Sequence, residues 1–411
     1  MNQSNVDSQT RTDLPAAPAA AAGNRGGAIV ALLGFLGAFI TNANVIAFVA
    51  PGMRLLDELQ IDAALFGLIQ SGHTIGSVLV MLLGGGIMQR LRDNTILLLA
   101  FALLTAANLI ASLSSVPLLV LSRLMLGAAS GGLVFTISRL TFLHYARYRT
   151  FIVGMTHASF LAGSLAMMLL GGEWHLRAGN WRLFSIQLAI LSVWPILPIL
   201  VWCPANKPAP VSRTVPLRIR EVWQPIAYRL TIPATATYLF GEFGIIFFLP
   251  LYMQQYLGGS LREVAVGGSL FLVMLLLGRL VLCARLSQAD ERRVLPPLAV
   301  AAWIFPLLAL LPLPLFVRAI LLGFGGFLMG PVAVMILNLG VRMAGGHLDH
   351  AILITNILFS AGGIAGTAAT GLVGKHFGLQ VAILFGVMTS LLAVLPLFMI
   401  PRLRQATATG L

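Results

Sequence analysis

Acid is scarce in this sequence. Asp and Glu together number 13 in 411 residues, against 26 Lys and Arg, and charged residues of both signs make up 9% of the chain. A soluble domain runs near 25% charged, so this is not the composition of a water-soluble fold. Cysteine is scarce as well. The two cysteines, Cys203 and Cys283, sit near the ends of apolar stretches without metal-type spacing, which argues against a disulfide framework or a zinc site. Short alternating segments with polar interiors, the pattern of a membrane barrel, are missing. The opening "MNQSNVDSQTRTDLPAAPAAAAGNRGG" has no basic start followed by a short apolar core and cleavage site, so it is not a signal peptide. It is polar and rich in Pro and Ala, and residues 1–26 read as a disordered cytoplasmic tail.

What is abundant is apolar material, 58% of the chain. It comes in stretches of about 20 residues, the length that crosses a hydrocarbon core of roughly 30 Å as a helix. They lie near 27–50, 63–88, 94–113, 117–138, 150–172, 182–203, 230–254, 264–284, 294–313, 316–340, 351–373 and 381–400. The expected fold is therefore all-α and polytopic, with about twelve transmembrane helices in the bilayer.

The formal net charge is +13, which raises the question of a nucleic-acid partner. The arginines answer it: they sit in short loops between apolar spans, where positive charge marks the cytoplasmic side. No nucleic-acid partner is expected. With the tail inside, Arg90, Arg92, Arg147, Arg149, Arg285, Arg292, Arg293, Arg342, Arg402 and Arg404 all fall inside, and the outer loops keep only Arg54, Arg177, Arg262 and Lys375. Both termini are thus expected in the cytoplasm. Arg greatly outnumbers Lys and the loops are short, which points to a bacterial inner membrane.

One loop differs. Residues 204–229 are long, basic and Pro-rich, and they divide an N-terminal six-helix half, 27–203, from a C-terminal one, 230–401, with a cytoplasmic tail at 402–411. Its "LRIREVWQPIAYR" part has the makings of an interfacial segment. The halves repeat. "RLMLGAASGG" begins at Arg123 in span 4, and "RAILLGFGG" at Arg318 in span 10. Phe160, Ala162, Gly163 and Gly172 in span 5 pair at one constant offset with Phe359, Ala361, Gly362 and Gly371 in span 11. Duplicated six-helix halves holding a solute near the midplane are a common plan for secondary transporters.

Twelve spans, a basic central loop and duplicated halves resemble the major facilitator superfamily, over essentially the whole chain after residue 26. Arg123, Gly127 and Gly131 look like that family's helix 4 motif. "GGGIMQRLRDN" resembles its loop 2–3 motif: Gly85 and Arg90 fit, but Gln89 replaces the expected Asp and Arg92 the expected Gly. The loop after span 8 keeps Gly278, Arg279 and Arg292, with Ser287 at the acidic place. Span 5 lacks the proline of the Gly-Pro motif of proton-linked antiporters. Span 1 carries Thr41, Asn42 and Asn44 where many of the family's drug exporters have a carboxylate. "YLFGEFGIIFFLPLY" in span 7 is similar to helix 7 of the sugar-permease branch.

Within the spans one acid lies deep, Glu242 in "ATATYLFGEFGIIFFLPLY". A mid-bilayer charge costs about 2.5–3.5 kcal/mol on insertion scales, so it must face protein or water. Thr231, Thr235, Tyr238 and Glu242 step by 4, 3 and 4 residues and share one helix face, which is expected to line a cavity between the halves. Two roles are open to Glu242: exchanging a coupling proton, or pairing permanently with an arginine. Span 2 aligns Gln70, His73, Thr74 and Ser77; span 11 aligns Asn356, Ser360, Gly363 and Thr367; span 5 adds Thr156, His157 and Ser159. His73 and His157 are candidate proton carriers or interhelical hydrogen-bonders. Arg123 is read as an anion-binding or Glu242-tuning residue, or as a structural member of its motif. Arg279, near the inner end of span 8, is read as gating or packing.

The expected function is secondary active transport of a small organic solute by alternating access, coupled to protons through Glu242 or His73, with export favoured because the polar stripes carry little charge. The expected substrate cavity comprises Asn42, Asn44, Gln70, Thr74, Arg123, Thr235, Tyr238, Asn356 and Ser360. Gly85, Arg90, Gly127, Gly131 and Arg279 serve gating. The alternatives are proton-coupled uptake of a sugar-like polar metabolite and a non-transporting sensor on a transporter fold. No enzymatic constellation, cofactor or metal set is seen, and a monomer is expected.

Overall fold

The computed structural model describes residues 25–49, 53–88, 91–113, 115–144, 149–178, 182–202, 225–286, 289–343 and 348–400. The tail up to residue 24, the loop from 203 to 224 and the tail from 401 lie outside them, as do Arg90, Arg147, Arg402 and Arg404.

The described residues form helices in the order the apolar stretches dictate. They are α1 (Arg25–Val49), α2 (Ala63–Met88), α3 (Asp93–Ala111), α4 (Val116–His144), α5 (Arg149–Ala178) and α6 (Arg182–Val193, resumed as Ile196–Trp202). The second set is α7 (Ile226–Gln255), α8 (Leu261–Leu277), α9 (Glu291–Ala309), α10 (Leu315–Met343), α11 (Leu348–Phe377) and α12 (Leu379–Ala393, followed by a 3-10 turn Leu395–Met399). Among the described residues ten helices are long and apolar enough to cross a membrane, and two shorter apolar stretches, Gly154–Leu170 and Ser185–Val201, fall in α5 and α6. Helices satisfy every backbone group internally, which lipid requires. Large apolar side chains such as Leu83, Trp194, Leu197 and Phe316 point outward, each at least 67% exposed, as a lipid-facing belt demands.

Several helices outrun the apolar stretches that announce them. α4 continues to His144 and α11 to Phe377, because a helix need not stop where hydrocarbon does. Three local features have no hydropathy signal. A short helix, Met53–Leu59, links α1 to α2, ending at Gln60 in the left-handed region (φ 53°). α6 breaks at Trp194 and Pro195, where proline's missing N–H removes a helical hydrogen bond. After Leu277, α8 loosens into a π turn, Gly278–Leu282, before a last helical piece, Cys283–Leu286.

The packing repeats with the sequence. In the first set α1 packs on α5, α2 on α4 and α3 on α6; in the second α7 packs on α11, α8 on α10 and α9 on α12. Matched glycines show why. A Cβ at Gly163 of α5 would collide with the Phe39 carbonyl of α1, and a Cβ at Gly362 of α11 with the Ala236 carbonyl of α7. Only glycine permits backbones this close. The two sets meet along α2 with α11 and α5 with α8.

Candidate functional site

Glu242 sits in α7 beneath a tight contact. Gly241 beside it lies under the Trp303 indole of α9, where a Cβ would stand 2.5 Å from the ring. The carboxylate is 3% exposed and its Oε1 accepts from Arg279 Nη2 at 2.9 Å; the Arg279 side chain is 4% exposed. Arg279 stands in the π turn of α8. A second arm, Nη1, donates to the His157 backbone carbonyl of α5 at 3.1 Å. One guanidinium thus touches both helix sets. Glu242 Oε2 and Arg279 Nε are buried without a hydrogen-bond partner. The desolvation of such a pair offsets much of its attraction, so its presence is weak support for stability.

The rest of the α7 stripe turns into its own helix set. Tyr238 donates to the Met329 carbonyl of α10 at 2.9 Å, and its ring meets Trp303 and Phe359 edge-on. Thr235 and Thr231 bond back to the Thr231 and Tyr228 carbonyls. All four stripe residues are at most 2% exposed. Their partners come from α7 to α11, and it is Arg279 that carries the link across to α5.

Between the sets, α2 and α11 are joined by hydroxyls. Ser71 and Thr367 share a 2.5 Å hydrogen bond, and Ser71 also reaches the Ile364 carbonyl. Beside this contact Gln70 has neither amide atom partnered, and Thr74 Oγ1, His73 Nε2 and Thr370 Oγ1 are likewise buried without partners. Thr74 faces Gly363 of α11, and Ser360 is buried nearby on that helix. Asn356, one turn earlier, is half-buried. At the near end of the seam Lys375 pairs with Asp62 at 2.9 Å. The Leu65 N–H and then the Lys375 ammonium hold the Asp62 carboxyl below its ordinary range.

The remaining candidates lie inside the first set. Asn42 donates to Ser164 of α5, and Asn44 to the Ile40 carbonyl. Arg123 donates to the Asn44 carbonyl at 3.1 Å and lies over the Phe48 ring, 4.6 Å from its centroid. It is remote from the Glu242 pair in its bonding. Gly127 and Gly131 press α4 onto α2 at His73 and Ser77. Gly85 lies in the last turns of α2.

Sequence reasoning missed the partnership of Arg279 with Glu242, placing Arg279 at the end of its span. The signal was present: within spans 7 and 8 they are single opposite charges on consecutive helices. It also missed Ser71, hidden because its partner Thr367 is in another helix, and the Asp62–Lys375 pair, whose members stand at the ends of spans 2 and 11.

The model for the Major Facilitator Superfamily matches residues 28–230, through α6 and the central loop into α7. No curated protein matches the sequence. Among solved structures, a bacterial homologue of the human lysosomal transporter Spinster, captured inward-facing and unoccupied, superposes with a TM-score of 0.71. It is 14% identical, and the match covers 92% of this chain and 98% of that one. Two like-packed helix sets meeting at α2–α11 and α5–α8 define a polytopic membrane transporter fold. The chain belongs to the major facilitator superfamily, a superfamily of secondary transporters.

Proposed function

We propose that this protein is a proton-coupled secondary transporter that exports a small organic solute by alternating access, with Glu242 as the proton site and Arg279 as its counter-charge. The observation that carries this reading is the Arg279 fork: one arm on Glu242 at 2.9 Å, the other on the His157 carbonyl of the opposite set at 3.1 Å. Protonating Glu242 removes the attraction on one arm and so changes what holds α8 against α5. Orphaned Gln70 and Thr74 at the α2–α11 seam supply polar groups for a solute, and the few charges around them favour one of low polarity. The positive-inside bias supports cytoplasmic termini in a bacterial inner membrane. That orientation puts Asp62 and Lys375 outside, so the Ser71–Thr367 and Asp62–Lys375 contacts close the outer end. A monomer suffices for this cycle.

The test has two stages. A thermal-shift screen of purified protein against a solute library identifies stabilising solutes, since a ligand of the folded state raises stability by mass action. Uptake of the best hit into inside-out vesicles is then followed across pH for wild type and Glu242→Gln, normalised to folded protein. The expected result is loss of concentrative transport with binding retained in the variant. An unchanged pH profile and full accumulation in Glu242→Gln defeats the proton role.

A further inference from the structure

The repeat leaves two matched cavities. One, small and partly open, lies in the first set and is lined by Asn44, Phe48, Ala111, Ser122, Arg123 and Ser185 from α1, α3, α4 and α6. The other lies in the second set, with Tyr252, Ala309, Arg318 and Ile383 from the corresponding helices α7, α9, α10 and α12 in its wall. Each holds the arginine that opens the repeated motif, Arg123 at 4% exposure and Arg318 at 8%.

The two arginines differ in how they are satisfied. Arg318 donates from Nε to the Leu313 carbonyl at 2.7 Å and from Nη1 to the Tyr252 hydroxyl at 2.9 Å, and the rest of its cavity is apolar. Arg123 has one carbonyl, that of Asn44, and one ring face, that of Phe48; its Nε is buried without a partner. Among the described residues no carboxylate pairs with it. Its neighbour on α2, His73, is also left with an unpartnered Nε2, and Gly72 packs against the Arg123 Cβ, where an added methyl would sit 3.1 Å away. A buried guanidinium without a counter-charge is costly, and a carbonyl and a ring offer only partial negative charge.

We propose that the Arg123 cavity is a resident binding site for a small monovalent anion of about chloride size, and that the Arg318 cavity is not. One uncompensated cation calls for one negative charge. The polar wall of Asn44, Ser122 and Ser185 surrounds it, although the Ser122 hydroxyl is turned to the Ala107 carbonyl at 2.7 Å and so presents its lone pairs rather than its proton. All the lining residues come from one helix set. Alternating access opens the space between sets, so an ion held here travels with its bundle and is not cargo. The proposal therefore stands apart from the transport reading above.

The full chain, purified in detergent, is unfolded thermally while sodium gluconate is replaced stepwise by sodium chloride at constant ionic strength. Wild type should show a saturable rise in melting temperature with chloride. Arg123→Gln should lose the saturable response, Arg123→Lys should keep it with a higher half-saturation concentration, and Arg318→Gln should keep it unchanged. Absence of a saturable response in wild type, or an undiminished one in Arg123→Gln, overturns the proposal. Should Arg123→Gln fail to fold, crystals of wild type grown in bromide decide: an anomalous peak beside the Arg123 guanidinium upholds the site, and none there overturns it.

Discussion

Arg279 and Glu242 face each other across α7 and α8 at 2.9 Å, both side chains at least 96% withdrawn from solvent. Each leaves one polar atom unmet, and neither has a second charged partner among the described residues. Removing one member strands the other. Arg279→Gln alone is expected to lower stability by about 3–5 kcal/mol, the typical cost of breaking a buried pair from one side. The double variant Glu242→Gln with Arg279→Gln should recover part of this, with a coupling of about 0.5–3 kcal/mol in a double-mutant cycle. Melting temperatures and denaturant midpoints of the four proteins in one detergent check it; additive losses would mean the contact has no energetic weight.

The seam between α2 and α11 should be lockable. Ser71 and Thr367 approach to 2.5 Å through their hydroxyls, close enough that a cysteine pair meets the spacing a disulfide needs. Ser71→Cys with Thr367→Cys, made in a background without Cys203 and Cys283, should cross-link under mild oxidant and stop transport, and reductant should restore it. Transport that continues in fully cross-linked protein would show that this seam does not open.

Gly163→Ala and Gly362→Ala are expected to destabilise by about 1–3 kcal/mol each, the usual cost of forcing atoms into a packed contact, because the added methyl meets a neighbouring carbonyl. Gly132→Ala, where the nearest atom is 3.4 Å away, should be close to neutral. Thermal unfolding of the three variants makes the comparison.

The Asp62–Lys375 pair is about half exposed, so Lys375→Gln should cost only about 0.2–1 kcal/mol, and less in high salt. The sign of its pH dependence is fixed. The Asp62 carboxyl is held below its ordinary value of 3.8, so its contribution is full above that value and lost as pH falls through the lower, folded one. Unfolding of wild type and Asp62→Asn between pH 3 and 7 should therefore converge at the acid end.

Topology offers a separate check. Reporters fused after Leu411 and within 203–229 should both read cytoplasmic; an external signal from either contradicts the orientation.

Much of this was legible because lipid imposes a simple grammar. Apolar length gave the helices, and the shared spacing of Phe160, Gly163, Phe359 and Gly362 gave the repeat that the packing of α5 on α1 and α11 on α7 displays. The single deep acid drew attention to Glu242. Pairings between helices were harder to read, since a helical wheel fixes which residues share a face but not which helix that face meets. The Thr231–Tyr238 stripe was therefore assigned to the gap between halves, whereas its bonds run to α10 and its own backbone. The π turn at Gly278–Leu282 has no hydropathy signature at all, yet it carries Arg279.

Glycine set against carbonyl has a mechanical meaning. No side chain stands between α1 and α5 at Gly163, or between α7 and α11 at Gly362, so no rotamer can change to let one helix slip along the other. Each pair is therefore expected to move as one body. α5 and α11 also form part of the seams with α8 and α2, where the joints are a carbonyl held by one arginine and a pair of hydroxyls. Those are bonds that water can replace one for one. Backbone thus meets backbone within each pair and side chains meet at the seams, so a movement of one set against the other is expected to carry each pair as a unit.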